Sequence, residues 1–152
     1  DNLNNYYSRK LKQDRLQILK SHKKFKFKKV DISNFKSLEV IFKNIKIDQV
    51  INLAAYAGVK YSLVNPKIYL KTNEFGFFNL LELSKNYKVS KIIFASSSSV
   101  YGNNKLPFKE TQFTDSPISL YGATKKNNEI LAHYYANQFN LEIIGIRFFF
   151  TH

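Results

Sequence analysis

The sequence predicts an α/β fold, part of a doubly wound parallel sheet with helices on both faces. Two observations carry this. Apolar, β-branched runs, "QVINLA" (49–54), "KIIFAS" (91–96) and "EIIGIRFFF" (142–150), alternate with stretches whose apolar residues recur at helical spacing. Between these runs nothing reads as a hairpin turn, so successive strands have to be joined by right-handed crossovers that set them parallel. A chain of 152 residues, 44% hydrophobic and 23% charged, suffices for one domain with a real core.

The elements follow in order. Residues 9–20 form a weakly amphipathic helix, and "FKFKKV" (25–30) alternates as a strand does. Asp31, Ser33 and Asn34 then offer caps to a helix whose apolar face is Phe35, Leu38, Ile41, Phe42 and Ile45. The run 49–54 reads as a strand buried on both faces. Asn65 and Pro66 begin a long helix to about Lys85, because proline suits the first helical position. Residues 91–96 are a second buried strand, Pro117 opens a helix through about Phe139, and 142–150 is the last strand. In such sheets ligands bind beyond the carboxyl ends of strands, so the residues after Val30, Ala54, Ala95 and Phe148 are where chemistry is expected.

Composition narrows the function. There is no cysteine, hence no disulfide frame and no thiolate chemistry. The histidines, His22, His133 and His152, are scattered, and no metal site is expected. No apolar run approaches the roughly 18 residues of a membrane helix. No leader peptide is visible, so a reducing cytoplasm is the expected compartment. The net charge is +13, and residues 1–29 hold 10 Lys and Arg against 2 Asp and Glu. One reading of that segment is a non-catalytic basic module binding nucleic acid or an anionic surface through residues 9–29. A solvated surface helix is favoured over it, because no aromatic–glycine nucleic-acid motif accompanies the charge.

At the strand ends, Asp31 can accept hydrogen bonds from a nucleoside or cap the next helix. The small residues of "AAYAG" (54–58) allow close backbone approach or tight packing. "ASSSSVYG" (95–102) puts four hydroxyls behind an interior strand, able to bind a sugar or an oxyanion. In "SLYGATKK" (119–126), Tyr121 and Lys125 stand one helical turn apart. That spacing alone says little. Five Tyr–Lys pairs share it (Tyr6–Lys10, Tyr56–Lys60, Tyr87–Lys91, Tyr101–Lys105, Tyr121–Lys125), against about 1.4 expected by chance. Context separates them: only Tyr121 stands near the start of an amphipathic helix with a strand-end serine cluster upstream. The neighbouring ammonium is expected to lower the Tyr121 pKa and make it a general base.

"VINLAAYAGVKYS", "FASSSSVYG" and "SLYGATKK…NE" together resemble the extended short-chain dehydrogenase/reductases. The resemblance is nearest to the NAD-dependent nucleotide-sugar epimerases, specifically bacterial UDP-glucuronate 4-epimerases, and runs from "DNLNNYY" to "RFF". It implies a partial Rossmann-like fold with NAD as cofactor. Asp1 and Asn2 would stand at the adenosine ribose, Asp31 and Ile32 at the adenine, Ala54 and Ala55 along the pyrophosphate and ribose, and Asn73 on the cofactor side of the long helix. Ser97, Tyr121 and Lys125 match the catalytic set, Lys125 also holding the nicotinamide ribose. Tyr121 would take the proton of the sugar 4-hydroxyl while hydride leaves C4 for NAD, then returns to the other face of the 4-keto sugar. Dehydratases of the family carry an Asp-Glu pair where this chain has Ser98 and Ser99, so dehydration is disfavoured. Ser98, Ser99 and Lys60 would help to seat the sugar carboxylate. A homodimer through 66–85 and 117–139 is the family's usual assembly. Alternatives are another sugar-nucleotide epimerase or decarboxylase of the family.

Two departures stand out. The family's G-x-x-G-x-x-G fingerprint is absent, and "RFFFTH" replaces the threonine-valine-tyrosine-glycine continuation at Phe150, Thr151 and His152. The expectation is an incomplete NAD-binding domain over 1–152, without its first strand–helix unit or the C-terminal substrate domain, marginally stable, weak in binding NAD and nearly inactive alone.

Overall fold

The structure, a computed structural model, describes residues 1–149. Its element order is α1 (Arg9–Lys20), α2 (Phe35–Asn44), β1 (Gln49–Asn52), α3 (Val59–Val64), α4 (Pro66–Tyr69), α5 (Gly76–Asn86), β2 (Lys91–Ser97), α6 (Leu120–Phe139) and β3 (Glu142–Phe148). The strands form one parallel sheet in the order β1-β2-β3. It is the partial, doubly wound Rossmann-like sheet that the sequence predicts, flanked by helices.

Register fixes the core. Val50, Ile92 and Ile143 share one row across the strands, and Asn52, Phe94 and Gly145 another. Side chains alternate along a strand, so both rows face the same way. Against them pack Leu38 and Phe42 of α2, Phe77, Leu80 and Leu81 of α5, and Ala132 and Tyr135 of α6. Each helix presents the apolar face that its sequence spacing foretold. The caps are also the ones available locally: the Asn34 side chain accepts from the Ser37 N–H, and that of Ser119 from the Gly122 N–H.

Several expectations need correction. Residues 25–30 are not a strand, since a strand exists only through its ladder. This segment's backbone bonds to the rest of the described chain are a turn from Phe25 N–H to the His22 carbonyl (2.9 Å) and one from Val30 N–H to the Asp1 carbonyl (3.3 Å), and neither makes a ladder. The strand at 49–54 stops at Asn52 and is not buried on both faces, for Ile51 is 65% exposed and Leu53 66%. Ile144, Ile146 and Phe148 are exposed on that same side, where no described residue closes off the solvent. The helix expected from Pro117 begins at Leu120, because Ser119 is the residue whose side chain can cap it. α3 was not anticipated. The last strand, expected over 142–150, stops at Phe148; Phe150, Thr151 and His152 lie outside the described residues.

The long helix from Pro66 is present, with proline at its first turn, but Leu70–Phe75 in its middle is π-helical. A π turn is a local insertion that resets which residues face inward and recurs at functional sites. Here it carries Thr72 and Asn73 inward, both buried.

Candidate active site

The first half of the site is a cavity of about 220 Å³ at the carboxyl end of β1. Its walls include Asp1, Asn2, Asp31, Ile32, Ala54 and Ala55. Six residues from three separate stretches, each proposed from the sequence, thus converge on one space. Asn2 donates its amide to Asp31 Oδ2 (3.1 Å), while the backbone N–H and hydroxyl of Ser33 donate to Oδ1 (2.9 and 2.7 Å). Partial burial pushes the Asp31 carboxyl up, but these donors outweigh it and hold the pKa below the usual value. The cavity therefore presents a carboxylate, an amide and two alanines without bulk, a donor set suited to a nucleoside.

Asn73 stands behind this cavity. Its Oδ1 accepts from the Tyr56 N–H (2.8 Å), and its Nδ2 donates to the Tyr56 carbonyl (3.0 Å) and to Thr124 Oγ1 (3.2 Å). The Thr124 hydroxyl donates in turn to the Tyr121 carbonyl (2.8 Å). One buried amide so ties the loop after β1 to the helix of Tyr121. Tyr56, Tyr69 and Tyr121 continue the link, with ring centroids 6.0 and 6.2 Å apart. Tyr69 donates to the carbonyls of Ala57 (2.6 Å) and Gly58 (2.8 Å), and Tyr6 to that of Ala57.

The second half lies where β2 meets α6. Ser97 ends β2, is 2% exposed, and accepts from the Ser99 N–H (3.1 Å), opening a 3₁₀ turn over Ser98–Tyr101. The start of α6 presses on this turn. A Cβ at Gly122 would stand 2.7 Å from the Ser99 carbonyl oxygen, so only glycine permits the approach. Tyr121 is buried, and the neighbouring Ser97 side chain pulls its pKa down. Lys125 is 4% exposed, lies with Nζ 5.9 Å from the Tyr121 ring centroid, and donates to the Ala95 carbonyl (2.8 Å).

The expected lowering of the Tyr121 pKa is reversed. Burial raises it, and this outweighs the opposing pull of the Ser97 side chain. Lys125 gives no such help, because its ammonium is aimed at the Ala95 carbonyl and burial lowers its own pKa to about 8. In the free protein Tyr121 is a proton donor, and it turns into a base only when further positive charge comes close.

Ser98 and Ser99 sit half-buried beside Ser97, whereas Lys60 is exposed on α3 and does not line the cavity of Asp31. Tyr6, set aside among the Tyr–Lys pairs, precedes α1 and packs against Tyr56 and Tyr61. The sequence reading missed the role of Gly122, though a glycine inside a helical pattern is a signal of close approach. It also missed a half-buried ion pair: Arg147 of β3 donates through Nε and Nη2 to the two carboxylate oxygens of Glu129 on α6 (2.9 Å each). Those residues are 18 apart, and no local pattern joins them.

Known proteins resemble this chain along nearly all of its length. The family described as GDP-mannose 4,6 dehydratase matches residues 2–152. Over 98% of its length the chain is 46% identical to a UDP-glucuronate 4-epimerase of Thermodesulfobacterium geofontis, covering 46% of that protein. It is likewise 46% identical to Protein CapI of Staphylococcus aureus, with 98% and 45% covered. Among solved structures, the UDP-glucuronic acid 4-epimerase of Bacillus cereus, in complex with UDP-glucuronic acid and NAD, superposes with a TM-score of 0.82 at 34% identity, over 91% of this chain and 43% of that one. The UDP-Glc/GlcNAc 4-epimerase of Campylobacter jejuni gives 0.85 at 28% identity, over 98% and 44%. The chain spans about half the length of the curated relatives it matches.

Proposed function

Since the chain belongs to the NAD-dependent nucleotide-sugar epimerase/dehydratase family, we propose that it carries the NAD site and proton-transfer set of a nucleotide-sugar 4-epimerase acting on UDP-glucuronate. One observation carries the reading: Ser97, Tyr121 and Lys125 meet at the tip of β2, joined through Asn73 and Tyr56 to the cavity of Asp31. Asp31 and Asn2 would hold the adenosine of NAD, with Ala54 and Ala55 leaving room for its ribose and phosphates. Bound NAD would supply a hydride acceptor at C4 of the sugar and a positive ring near Tyr121. The chain's own residues do the rest. The Ser97 hydroxyl orients the reacting oxygen, Tyr121 removes and returns the 4-hydroxyl proton, and Lys125, fixed on the Ala95 carbonyl, would hold the ribose of the nicotinamide.

Epimerisation is favoured over dehydration by what flanks Ser97. Loss of water needs an acid and a base beside the reacting carbons, and Ser98 and Ser99 can serve as neither at neutral pH. The carboxylate that reaches the adjoining Ser96, Glu129, is itself engaged by Arg147. Glucuronate is supported by the 46% identity to a UDP-glucuronate 4-epimerase and by the hydroxyls of Ser98 and Ser99, which can donate to a carboxylate. We extend the proposal to a homodimer through residues 66–85 and 117–139, where Phe75, Ile130 and Tyr134 lie exposed.

Incubation with NAD and UDP-glucuronate, followed by chromatography of the sugar nucleotides, is expected to yield UDP-galacturonate and no 4-keto-6-deoxy product. The assay belongs in a protein of its relatives' length that carries these residues. Turnover of UDP-glucose in preference to UDP-glucuronate would overturn the substrate choice. At the cofactor end, Asp31→Ala removes the carboxylate from the cavity. Calorimetric titration should then show NAD affinity weakened about tenfold, the loss of one charge-assisted hydrogen bond. Unchanged affinity would place the nucleoside elsewhere.

A further inference from the structure

We propose that Glu129 is a positioning residue: with Arg147 and Ser96 it clamps the tip of β2 to α6 and thereby holds the Ser97 hydroxyl against Tyr121. The motif that singled out Tyr121 and Lys125 continues to Glu129, and the reading above gives that residue no task. Tyr121, Lys125 and Glu129 recur every fourth residue on α6, so they share one face, a turn apart. Two of the three grip β2 from that face. Lys125 donates to the Ala95 carbonyl (2.8 Å), and Glu129 Oε1 accepts from the Ser96 hydroxyl (2.6 Å). Successive strand residues point to opposite sides. Ser96 is therefore anchored on the core side, while Ser97, directly after it, is turned to the other side.

Arg147 makes the anchor rigid. Its guanidinium engages both Glu129 oxygens (2.9 Å each), a bidentate pair whose plane fixes direction as well as distance. It also lies 4.8 Å from the ring centroid of Tyr101, the last residue of the serine turn. One carboxylate thus ties α6 to β2 and β3, and through Arg147 to both ends of the segment 96–101 that carries Ser97. The donors keep Glu129 ionised, since they outweigh the burial that would raise its pKa.

The proposal rests on reading Ser97 and Tyr121 as the reacting pair, but its test requires no turnover. Tyrosine 121 is replaced site-specifically by 3-fluorotyrosine, which acidifies the phenol and gives a ¹⁹F signal whose titration is followed in the 152-residue chain. The Ser97 side chain holds this phenol down, so loosening the clamp must let it rise. Ser96→Ala and Glu129→Ala are each expected to raise the midpoint by about one pH unit, a tenfold loss of acidity, with Ser97→Ala giving the full effect. Glu129→Gln keeps an acceptor for Ser96 and should recover part of the shift. Leu38→Ala, which loosens the core at α2, should leave the midpoint in place. No shift in Ser96→Ala and Glu129→Ala, or an equal shift in Leu38→Ala, overturns the clamp. Ser96→Ala removes a single hydroxyl and keeps the test decisive if Glu129→Ala fails to fold. Addition of NAD is a separate arm: a ¹⁹F signal indifferent to NAD counts against the proposed cofactor site and leaves the clamp standing.

Discussion

Tyr121→Phe is expected to lower kcat for epimerisation by about 10²–10⁴-fold, the range lost with a general acid–base group, while KM and NAD affinity change little. The substitution deletes one oxygen. The ring that packs edge-on against Tyr69 at 6.2 Å stays, so the tyrosine cluster around the site is kept. What goes is the group proposed to accept the 4-hydroxyl proton, and no neighbour can replace it. Ser97 is a weak acid far from titration near neutral pH, and the Tyr69 phenol is pushed further up by burial while it donates to the carbonyls of Ala57 and Gly58. Lys125 points at the Ala95 carbonyl. Steady-state kinetics with UDP-glucuronate would test this. A variant retaining more than about a tenth of the rate would show that Tyr121 is not the proton carrier and would remove the basis for the mechanism.

The same residue shows what a sequence can and cannot convey. Its choice from five Tyr–Lys pairs needed only order along the chain, a strand followed by hydroxyls and then a helix start, and the structure puts Tyr121 against Ser97 with Lys125 on the same helix face. Helices α2, α5 and α6 were legible because their apolar periodicity is the cause of their packing. The strand at 25–30 was misread because alternation describes a strand's faces and says nothing about whether a partner exists. The ionisation of Tyr121 was misread for a related reason. Sequence shows that an ammonium is a turn away, but desolvation depends on how many neighbours close over the phenol, and Tyr6 and Tyr69 reach it from 115 and 52 residues away. The Glu129–Arg147 pair and the hold of Asn73 on Tyr56 are likewise products of topology, the second made by a π turn that no local pattern announced.

Lys125 should make the fold more stable as pH rises from 8 to 10, the reverse of what a paired cation does. Its folded pKa is about 8, because burial strips the ammonium of water, against about 10.5 in an unfolded chain. Below pH 8 both states carry the proton and the full cost of burying the charge is felt. Between 8 and 10.5 the unfolded chain binds more protons than the folded one, so stability increases with pH, by up to about 3 kcal/mol over the window. Tyrosines act in the opposite sense higher up. Tyr69, Tyr121 and Tyr135 are all raised by burial, so above about pH 10 the unfolded chain loses phenolic protons first and stability falls. Chemical denaturation from pH 7 to 11 should therefore show a maximum near pH 9–10. A net charge of +13 at pH 7 contributes a rise of its own as lysines titrate, and for that reason the decisive quantity is the difference from Lys125→Met. That variant keeps the buried stem, loses the ammonium, and should be the more stable protein at pH 7 with a flatter slope between 8 and 10, while its decline above pH 10 is unchanged. Parallel curves for the two proteins would mean that the Ala95 carbonyl compensates the buried charge in full. Lys125 would then be an ammonium throughout the neutral range, available to Tyr121 without help from a cofactor.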